Sequence, residues 1–394
     1  MSYNTCDDGL KLYCEEAGSG TPLRAARGLA MPHRRAVLAG LAGSMLAAPQ
    51  ASGQADAALR AIAAGRGLAY GSAVRMRALD DAPCAALLVR ECGVVVPEHD
   101  LKWRTLSRAS GTYDFAAADR LMEFARRHAM AVRGHTLLWH RSIPAWLTSA
   151  ASTAELERHI ETHITTVVGR YAGRIRSWDV MNEAVDPASG RADGLRSSLF
   201  LDRLGLAYLE RAYRAARAAD PAVELVYNDY GAEHALSGPS HRKRDAIMDL
   251  LKRLLDRSVP LDALGVQGHL STRRPFDGDQ WLRWLEQVRA LGLRIHVTEL
   301  DVNDVASPAD IAVRDAEVAT LLQRFLESTL ACAAVRSVLT WGLSDRYSWI
   351  VDGSEPHQRR VDGAIARPLP YDRELQPKPA RAALAAALAS AAQR

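Results

Sequence analysis

From about residue 60 onward, the chain repeats a two-part unit in which a short apolar run ending in polar residues is followed by an amphipathic stretch. Continuous apolar runs are typical of parallel strands covered on both faces, and the stretches between them carry apolar residues at helical spacing. Eight such units in succession predict an α/β fold, a parallel sheet closed into a (β/α)8 barrel. The eight runs span 67–74, 94–103, 131–140, 175–186, 224–230, 263–270, 294–302 and 337–345.

The alternative arrangement for such a pattern is an open, doubly wound sheet. That fold usually places a glycine-rich phosphate-binding turn after its first strand. The first run here ends in YGSAV, residues 70–74, which is not such a turn. The barrel is therefore the preferred prediction, with the alanine-rich stretch PARAALAAALASAAQR as its closing helix.

Polar side chains follow seven of the eight runs, at the point where each predicted strand ends. In a closed parallel barrel these ends meet at one rim, where such folds place their active sites. Packing alone does not explain polar residues at so many strand ends. They are Glu98 and Lys102; His135, Trp139 and His140; Asn182 and Glu183; Asn228 and Tyr230; Gln267 and His269; Glu299 and Asp301; and Trp341.

Two of these residues, Glu183 and Glu299, have the chemistry that glycoside hydrolysis requires. One carboxylic acid protonates the departing oxygen, and a carboxylate on the opposite face acts as nucleophile or base. A separation of roughly 5–5.5 Å between the two carboxyl groups gives retention of the anomeric configuration, and a larger separation gives inversion. The sequence alone leaves both outcomes open. We expect Glu183 to hold the proton, since two neighbouring carboxylates resist being charged together. Asn182 can donate to a sugar 2-OH, and His269 with Asp301 can keep Glu299 ionised and oriented.

Several residues have a second interpretation. His135 and His140 could bind a metal, but no third ligand accompanies them at a clear spacing. Trp341 and Trp349 could belong to the core, although tryptophan at a barrel rim favours stacking on a sugar. The five cysteines show neither a metal spacing nor a disulfide framework; they are Cys6, Cys14, Cys84, Cys92 and Cys332.

The distribution of charge along the chain bears on whether the protein binds nucleic acid. The net charge of +4 comes without a Lys/Arg-rich block, which argues against a nucleic-acid surface.

Residues 31–55 have the basic head, apolar middle and small-residue end of a secretory signal, and Arg34-Arg35 resembles a twin-arginine signal. We therefore expect export to the periplasm or the extracellular space from a start at Met31. Residues 1–30 would be a mis-assigned or disordered extension, and 56–394 a single catalytic domain with no membrane span.

The chain from about 60 to 390 resembles the glycoside hydrolase family 10 endo-β-1,4-xylanases. The resemblance is carried, in order, by VVPEHDLKW, RGHTLLWH, WDVMNEA, VQGHL, VTELDV, WGLSDRYSW and PLPYDRELQPKPA. It implies a retaining mechanism acting on xylan and xylo-oligosaccharides without a metal or organic cofactor, with Glu183 as acid/base and Glu299 as nucleophile. The substrate-binding residues that it implies are Glu98, Lys102, His135, Trp139, His140, Asn182, Tyr230, Gln267, His269, Trp341 and Trp349.

Three positions depart from the family pattern. His99 and Gly231 stand where asparagine is usual, and Ser142 stands where glutamine is usual. All three concern sugar contacts, so they put the preferred chain length or side groups in doubt and leave the reaction type unchanged. Two other functions stay open: another barrel glycosidase such as a cellulase, and a non-catalytic carbohydrate-binding protein, which would be expected to lack Glu183 or Glu299.

Overall fold

A computed structural model describes residues 57–147, 152–234, 239–352 and 358–394 of the chain. Ten strands form one sheet within these residues, and every pairing between them is parallel. The strands are β1 Ala69–Val74, β2 Val94–Pro97, β3 Ala131–Gly134, β4 Leu138–Trp139, β5 Ser177–Asn182, β6 Glu224–Asp229, β7 Ala263–Val266, β8 His269–Ser271, β9 Arg294–Asn303 and β10 Val335–Thr340.

The sheet closes on itself. Strand β1 pairs with β2 on one side and with β10 on the other, with Gly71 opposite Val94 and Ala69 opposite Ser337. Strand β10 also pairs with β9, which joins the two ends of the strand order. Eight of the strands make this ring, so the predicted (β/α)8 barrel is confirmed. The two short additional strands, β4 and β8, pair with β5 and β9 respectively.

The strand boundaries differ from the predicted runs where polar residues interrupt the ladder. The run at 131–140 forms β3 and β4 with a break between them, and the run at 263–270 forms β7 and most of β8. The run at 94–103 leaves the sheet after Pro97, and its last residue, Trp103, begins a short helix. Glu98, Lys102 and His135 therefore lie beyond the paired residues of β2 and β3, whereas Trp139 and His269 are paired within β4 and β8.

Helices cover the outside of the ring. The described residues form thirteen of them: α1 Leu59–Ala64, α2 Met76–Asp80, α3 Ala82–Glu91, α4 Trp103–Leu106, α5 Ala116–Arg127, α6 Thr153–Arg170, α7 Leu199–Leu204, α8 Ala207–Ala219, α9 Pro239–Asp256, α10 Gly278–Ala290, α11 Ile311–Ala331, α12 Trp349–Asp352 and α13 Pro379–Ser390. Side chains cap several of them, as when the hydroxyl of Ser152 accepts from the N–H of Glu155 at the start of α6.

Burial follows the helical periodicity. In α6, Leu156, Ile160, Ile164 and Val167 are all buried in the hydrophobic core. The alanine-rich C-terminal stretch forms α13 and packs against α11, as expected for a closing helix. Leu384 and Leu388 are fully buried there, while small alanine side chains allow the two helices to approach closely. The strands are thus held in a rigid frame that positions their carboxyl ends.

The N-terminal predictions fall on residues that the structure does not describe. The segments 1–30 and 31–55, with Cys6 and Cys14, lie outside the described residues. Cys84, Cys92 and Cys332 are free and buried, and burial raises the pKa of the Cys84 thiol to about 11. Across the described stretches, no helix combines the length and the apolar character needed to cross a bilayer.

Candidate active site

Glu183 and Glu299 lie at the rim where the carboxyl ends of the strands meet. Glu183 directly follows β5, and Glu299 is in the second half of β9. Both are almost enclosed, since only 8% of Glu183 and 5% of Glu299 is exposed. Enclosure of this kind strengthens electrostatic interactions and excludes bulk water.

Amide side chains connect the two carboxyl groups. Asn228 Nδ2, at the end of β6, donates to Glu299 Oε1 at 2.7 Å and to Asn182 Oδ1 at 2.9 Å. Asn182 Nδ2 donates in turn to Glu183 Oε1 at 3.2 Å. Gln267 Nε2 reaches the same oxygen of Glu183 at 3.2 Å and Asn182 Oδ1 at 3.3 Å. Three neighbouring strands therefore fix both carboxyl groups in one hydrogen-bonded frame.

Glu299 is at one end of a second chain of contacts. His269 Nε2 lies 3.3 Å from Glu299 Oε2, and its Nδ1 lies 2.9 Å from Asp301 Oδ1. Trp349 Nε1 donates to the other Asp301 oxygen at 2.7 Å. Burial opposes a charge on Glu299, but the hydrogen bond from His269 and the positive field of His135, His269 and Lys102 lower the pKa of Glu299. The site thus favours the carboxylate form that a nucleophile needs.

The same contacts act on His269. Its burial alone would lower the pKa of the imidazole, but the charge of Asp301, its hydrogen bond, and the contact with Glu299 raise that pKa well above the usual value. The imidazole is therefore held as a cation between two carboxylates. A cation in this position stabilises the negative charge of the Glu299 carboxylate electrostatically.

Glu183 has a different environment. Its second oxygen lies 3.9 Å from His140 Nδ1, and burial, followed by the charges of Arg196 and Arg141, lowers the pKa of His140 to about 3. His140 is thus a neutral neighbour of Glu183. The backbone of Glu183 is also unusual, with φ of 62°, in the left-handed region that residues other than glycine seldom adopt.

A cationic and aromatic group lies further along the rim. Lys102 Nζ is 4.7 Å from the centre of the Trp139 ring and 5.9 Å from that of Trp341. Burial lowers the pKa of Lys102, and the fields of Glu299, Glu98 and Glu183 oppose that effect. An ammonium group between flat indoles can donate to the hydroxyl groups of a sugar whose ring stacks on those indoles.

Glu98 lies beside this group and contacts the side chains of Arg75 and His99. Arg75 donates from Nε to Glu98 Oε1 at 2.8 Å, and His99 Nε2 lies 3.2 Å from the same oxygen. Burial raises the pKa of Glu98, but the hydrogen bonds from His99 and Arg75 outweigh it and lower the pKa to about 2. His99, one of the three departures, is thus a direct neighbour of a predicted sugar ligand.

The other two departures have different surroundings. Gly231 has φ of 78°, and a Cβ added there would meet nothing within 4 Å. Glycine and asparagine are the residues that tolerate this conformation, so the backbone of the family pattern is kept without its side chain. Ser142 is buried, and its N–H donates to the carbonyl oxygen of Trp139. Its side chain is shorter than the glutamine that is usual at this position of the family pattern.

The remaining predicted residues also lie at this rim. His135 Nδ1 is 3.0 Å from Asp179 Oδ2, and its ring meets Trp341 edge-on at a centroid distance of 5.1 Å. Trp341 is buried and packs on apolar side chains inside the barrel, whereas Trp349 is half-buried. The hydroxyl of Tyr230 accepts from Arg196 Nη2 at 2.9 Å.

Sequence reasoning did not assign some residues that the structure brings into the site. The sequence pattern places Asn228 at a strand end without indicating a role, whereas in the structure it contacts both Asn182 and Glu299. Arg75 directly follows β1, so its position at a strand end is the sequence signal that marks it. Nothing in the local sequence singles out Arg196 or Lys243, which reach the site from a loop and from α9.

The metal interpretation of His135 and His140 finds no support in the geometry. His135 is hydrogen-bonded to Asp179 and His140 lies beside Glu183. In the described part of the chain, no group of three or more histidine, cysteine or acidic side chains has an arrangement that could hold a metal ion.

Comparison with known proteins gives consistent matches over the barrel. The family model "Glycosyl hydrolase family 10" matches residues 58–387. The chain is 33% identical over 315 residues to endo-1,4-beta-xylanase 3 of Hypocrea jecorina, which covers 79% of this chain and 80% of that protein. Native xylanase 10B from Thermotoga maritima has a TM-score of 0.76 at 32% identity, covering 84% of this chain and 98% of that one. Xylanase 10B from Thermotoga petrophila RKU-1, solved in complex with xylobiose, has a TM-score of 0.76 at 31% identity, covering 84% and 97%.

Proposed function

The chain belongs to glycosyl hydrolase family 10, and from this premise we propose that it is an endo-1,4-β-xylanase that cleaves internal β-1,4-xylosidic bonds with retention of configuration. The observation that carries the proposal is the pair of enclosed carboxyl groups, Glu183 and Glu299, joined through Asn182 and Asn228 and supported differently on each side. Only Glu299 has a cationic histidine against it.

In the first step, Glu299 acts as the nucleophile. A carboxylate oxygen of Glu299 attacks the anomeric carbon, and the bond from that carbon to the bridging oxygen breaks. Glu183 gives its proton to the departing oxygen, so the leaving sugar departs as a neutral alcohol. The products of this step are a glycosyl ester on Glu299 and an ionised Glu183.

In the second step, the roles reverse. Glu183 takes a proton from a water molecule, whose oxygen attacks the anomeric carbon from the side that the leaving sugar vacated. The ester bond breaks and Glu299 returns as a carboxylate, with the cation of His269 ready to stabilise it. Two inversions at one carbon give net retention.

The proposed sugar contacts follow the layout of the rim. Asn182 and Gln267 lie beside Glu183, where a donor reaches the 2-OH of the sugar being cleaved. Lys102 between Trp139 and Trp341 holds the same sugar and the next one toward the non-reducing end, together with Glu98. Tyr230, which is joined to the acid/base segment through Arg196, would bind the leaving part of the chain.

Purified protein tests the proposal directly. We expect release of xylo-oligosaccharides from xylan, with the β-anomer as the first product detected by NMR. Glu299→Ala should prevent covalent labelling by a 2-fluoro xylobioside, while Glu183→Ala should lose about 10²–10⁴-fold on xylan and far less on a dinitrophenyl xylobioside. An α-anomer as first product, or a folded protein without turnover on xylan, would contradict the proposal. Faster turnover of carboxymethyl cellulose than of xylan would indicate a cellulase.

We also propose that the protein is exported, on the basis of the signal-like pattern from Met31 to residue 55. The intact mass of the secreted or periplasmic protein tests this. A mature N-terminus upstream of Met31 would contradict a start at Met31, and recovery of the protein from the cytoplasm alone would contradict export.

A further inference from the structure

The segment that carries the acid/base residue, residues 183–186, is held through its backbone. Three successive carbonyl oxygens accept hydrogen bonds from two basic residues. Glu183 O accepts from Arg196 Nε at 2.8 Å, and Ala184 O accepts from the backbone N–H of Arg196 at 2.8 Å. Val185 O accepts from Lys243 Nζ.

This backbone is the one that has the left-handed conformation at Glu183. Such a conformation persists only where the surroundings hold it. On the N-terminal side, the N–H of Glu183 donates to Asn228 O at 2.9 Å, which fixes the end of β5. On the C-terminal side, Val185 and Leu195 form an antiparallel bridge that brings Arg196 opposite Ala184. The direction of the Glu183 side chain therefore depends on the hydrogen bonds from Arg196 and Lys243 to the carbonyl oxygens of residues 183–185, which we call the carbonyl clamp.

The two cations are themselves fixed. Arg196 Nη1 lies 3.0 Å from Asp186 Oδ2, and Lys243 Nζ lies 2.8 Å from Asp229 Oδ1. Asp229 Oδ2 also accepts from the N–H of Val185 at 3.3 Å. Lys243 is 6% exposed, and the Arg196 side chain 13%. Hydrogen bonds between charged groups and the backbone that are shielded from water are stronger than solvent-exposed ones.

Both cations also contact Tyr230. Arg196 donates to its hydroxyl, and Lys243 Nζ lies 4.5 Å from its ring centre. The proposed leaving-group side of the cleft and the acid/base segment thus share the same two anchors. Movement of either anchor would change the angle at which Glu183 meets the departing oxygen.

We propose that Arg196 and Lys243 are positioning residues for proton donation by Glu183. The inference rests on the proposed function, since it takes Glu183 to be the acid/base residue. Loss of either cation displaces the carboxyl group from the line of the departing oxygen, so the damage grows with the need of the leaving group for a proton. Binding at Lys102 and Glu98, and attack by Glu299, do not pass through this clamp.

The test uses a series of aryl β-xylobiosides that have similar size and differ in the acidity of the phenol that departs. The variants are Arg196→Gln, Arg196→Lys and Lys243→Met. Matched controls are Arg191→Gln in the same loop and Lys252→Met, exposed on the same helix. Active sites are counted by covalent trapping with a 2-fluoro xylobioside, so that a fall in the folded fraction does not enter the rate per site.

For Arg196→Gln and Lys243→Met, we expect kcat/KM per site, which reports formation of the glycosyl ester alone, to fall by about 10²-fold with the least acidic phenols, within the range of acid–base assistance, and to stay close to wild type with dinitrophenol. Arg196→Lys keeps the positive charge and one donor group, so its loss of rate should lie between that of the wild type and that of Arg196→Gln. Equal losses across the series would overturn the proposal, because a general structural defect does not depend on the leaving group. Unchanged rates would overturn it as well.

One more variant separates the two routes by which Arg196 could act. Tyr230→Phe removes the hydrogen bond from Arg196 to the hydroxyl and leaves the carbonyl contacts in place. We expect it to alter KM for long xylo-oligosaccharides without steepening the dependence on the leaving group. The same steepening in Tyr230→Phe would overturn the backbone route. Turnover of xylan by the wild type tests the proposed function separately.

Discussion

Replacing Asp301 by asparagine should raise the pH at which the enzyme loses activity in acid. Asp301 contacts His269, which in turn contacts Glu299 at 3.3 Å. The substitution keeps the size of the side chain and an acceptor for Trp349. It removes the negative charge that holds His269 protonated against the effect of its burial. The pKa of the imidazole then falls, and Glu299 loses the cation beside it.

The size of the effect follows from the contact that is weakened. A hydrogen bond to a charged partner contributes about 1.5–3 kcal/mol, and one pH unit corresponds to about 1.4 kcal/mol. Since His269 lowers the pKa of Glu299, losing its charge raises that pKa. The nucleophile must be ionised, so activity falls as the pH falls through this value. The acid limb of kcat/KM should therefore begin about one to two pH units higher.

The measurement is kcat/KM against pH with a dinitrophenyl xylobioside, whose departure needs little help from Glu183. Trp349→Phe is the matched control, because it removes a hydrogen bond to Asp301 and leaves the charge. We expect a higher KM in the control with the acid limb in its wild-type place. An acid limb that does not move in Asp301→Asn, or that moves as far in Trp349→Phe, would refute the reasoning.

Three further outcomes follow from single contacts. Asn228→Ala leaves the buried Oε1 of Glu299 without its hydrogen-bond donor, while Asn182 Oδ1 keeps the one from Gln267; this should cost about 1–3 kcal/mol of unfolding free energy, measured in urea, and equal midpoints would contradict it. Glu98→Gln should destabilise the protein by at most about 3 kcal/mol at neutral pH. Because its pKa is lowered from 4.5 to about 2, that difference is present above the usual value and is lost as the pH falls through about 2; a constant difference at all pH values would contradict it. His99→Asn removes the histidine from Glu98 Oε1 and should lower KM for xylo-oligosaccharides several-fold, the worth of one hydrogen bond, with kcat unchanged; an unchanged KM would contradict it.

The sequence predicted the fold because the barrel depends on patterns that repeat locally. Each strand and helix is recognisable from residues that are close in the chain, such as the stripe from Leu156 to Val167. The break between β3 and β4 was not predicted, although His135 and Thr136 interrupt the apolar run there. Periodicity reports which residues face the core, and it carries no signal for where a ladder loses one pair of hydrogen bonds.

The candidate site was predictable in its position and less so in its connections. Polar residues at strand ends located Glu183, Glu299 and His269 at one rim, because parallel strands in a barrel all end on the same side. Asn228 stood in the same place and received no role, because the sequence does not indicate that its amide faces Glu299, 71 residues away.

By itself, the amino-acid sequence determined the barrel, the rim on which the chemistry occurs, and the two carboxylates whose types suit glycoside hydrolysis. The tertiary structure alone decided how those carboxylates are made different from each other. A cationic His269 lies against Glu299, while a neutral His140 and the carbonyl clamp of Arg196 and Lys243 surround Glu183. The physical reason is that pKa and side-chain direction depend on burial and on charges within a few ångströms. Those neighbours come from separate loops, strands and helices, so no local pattern encodes them.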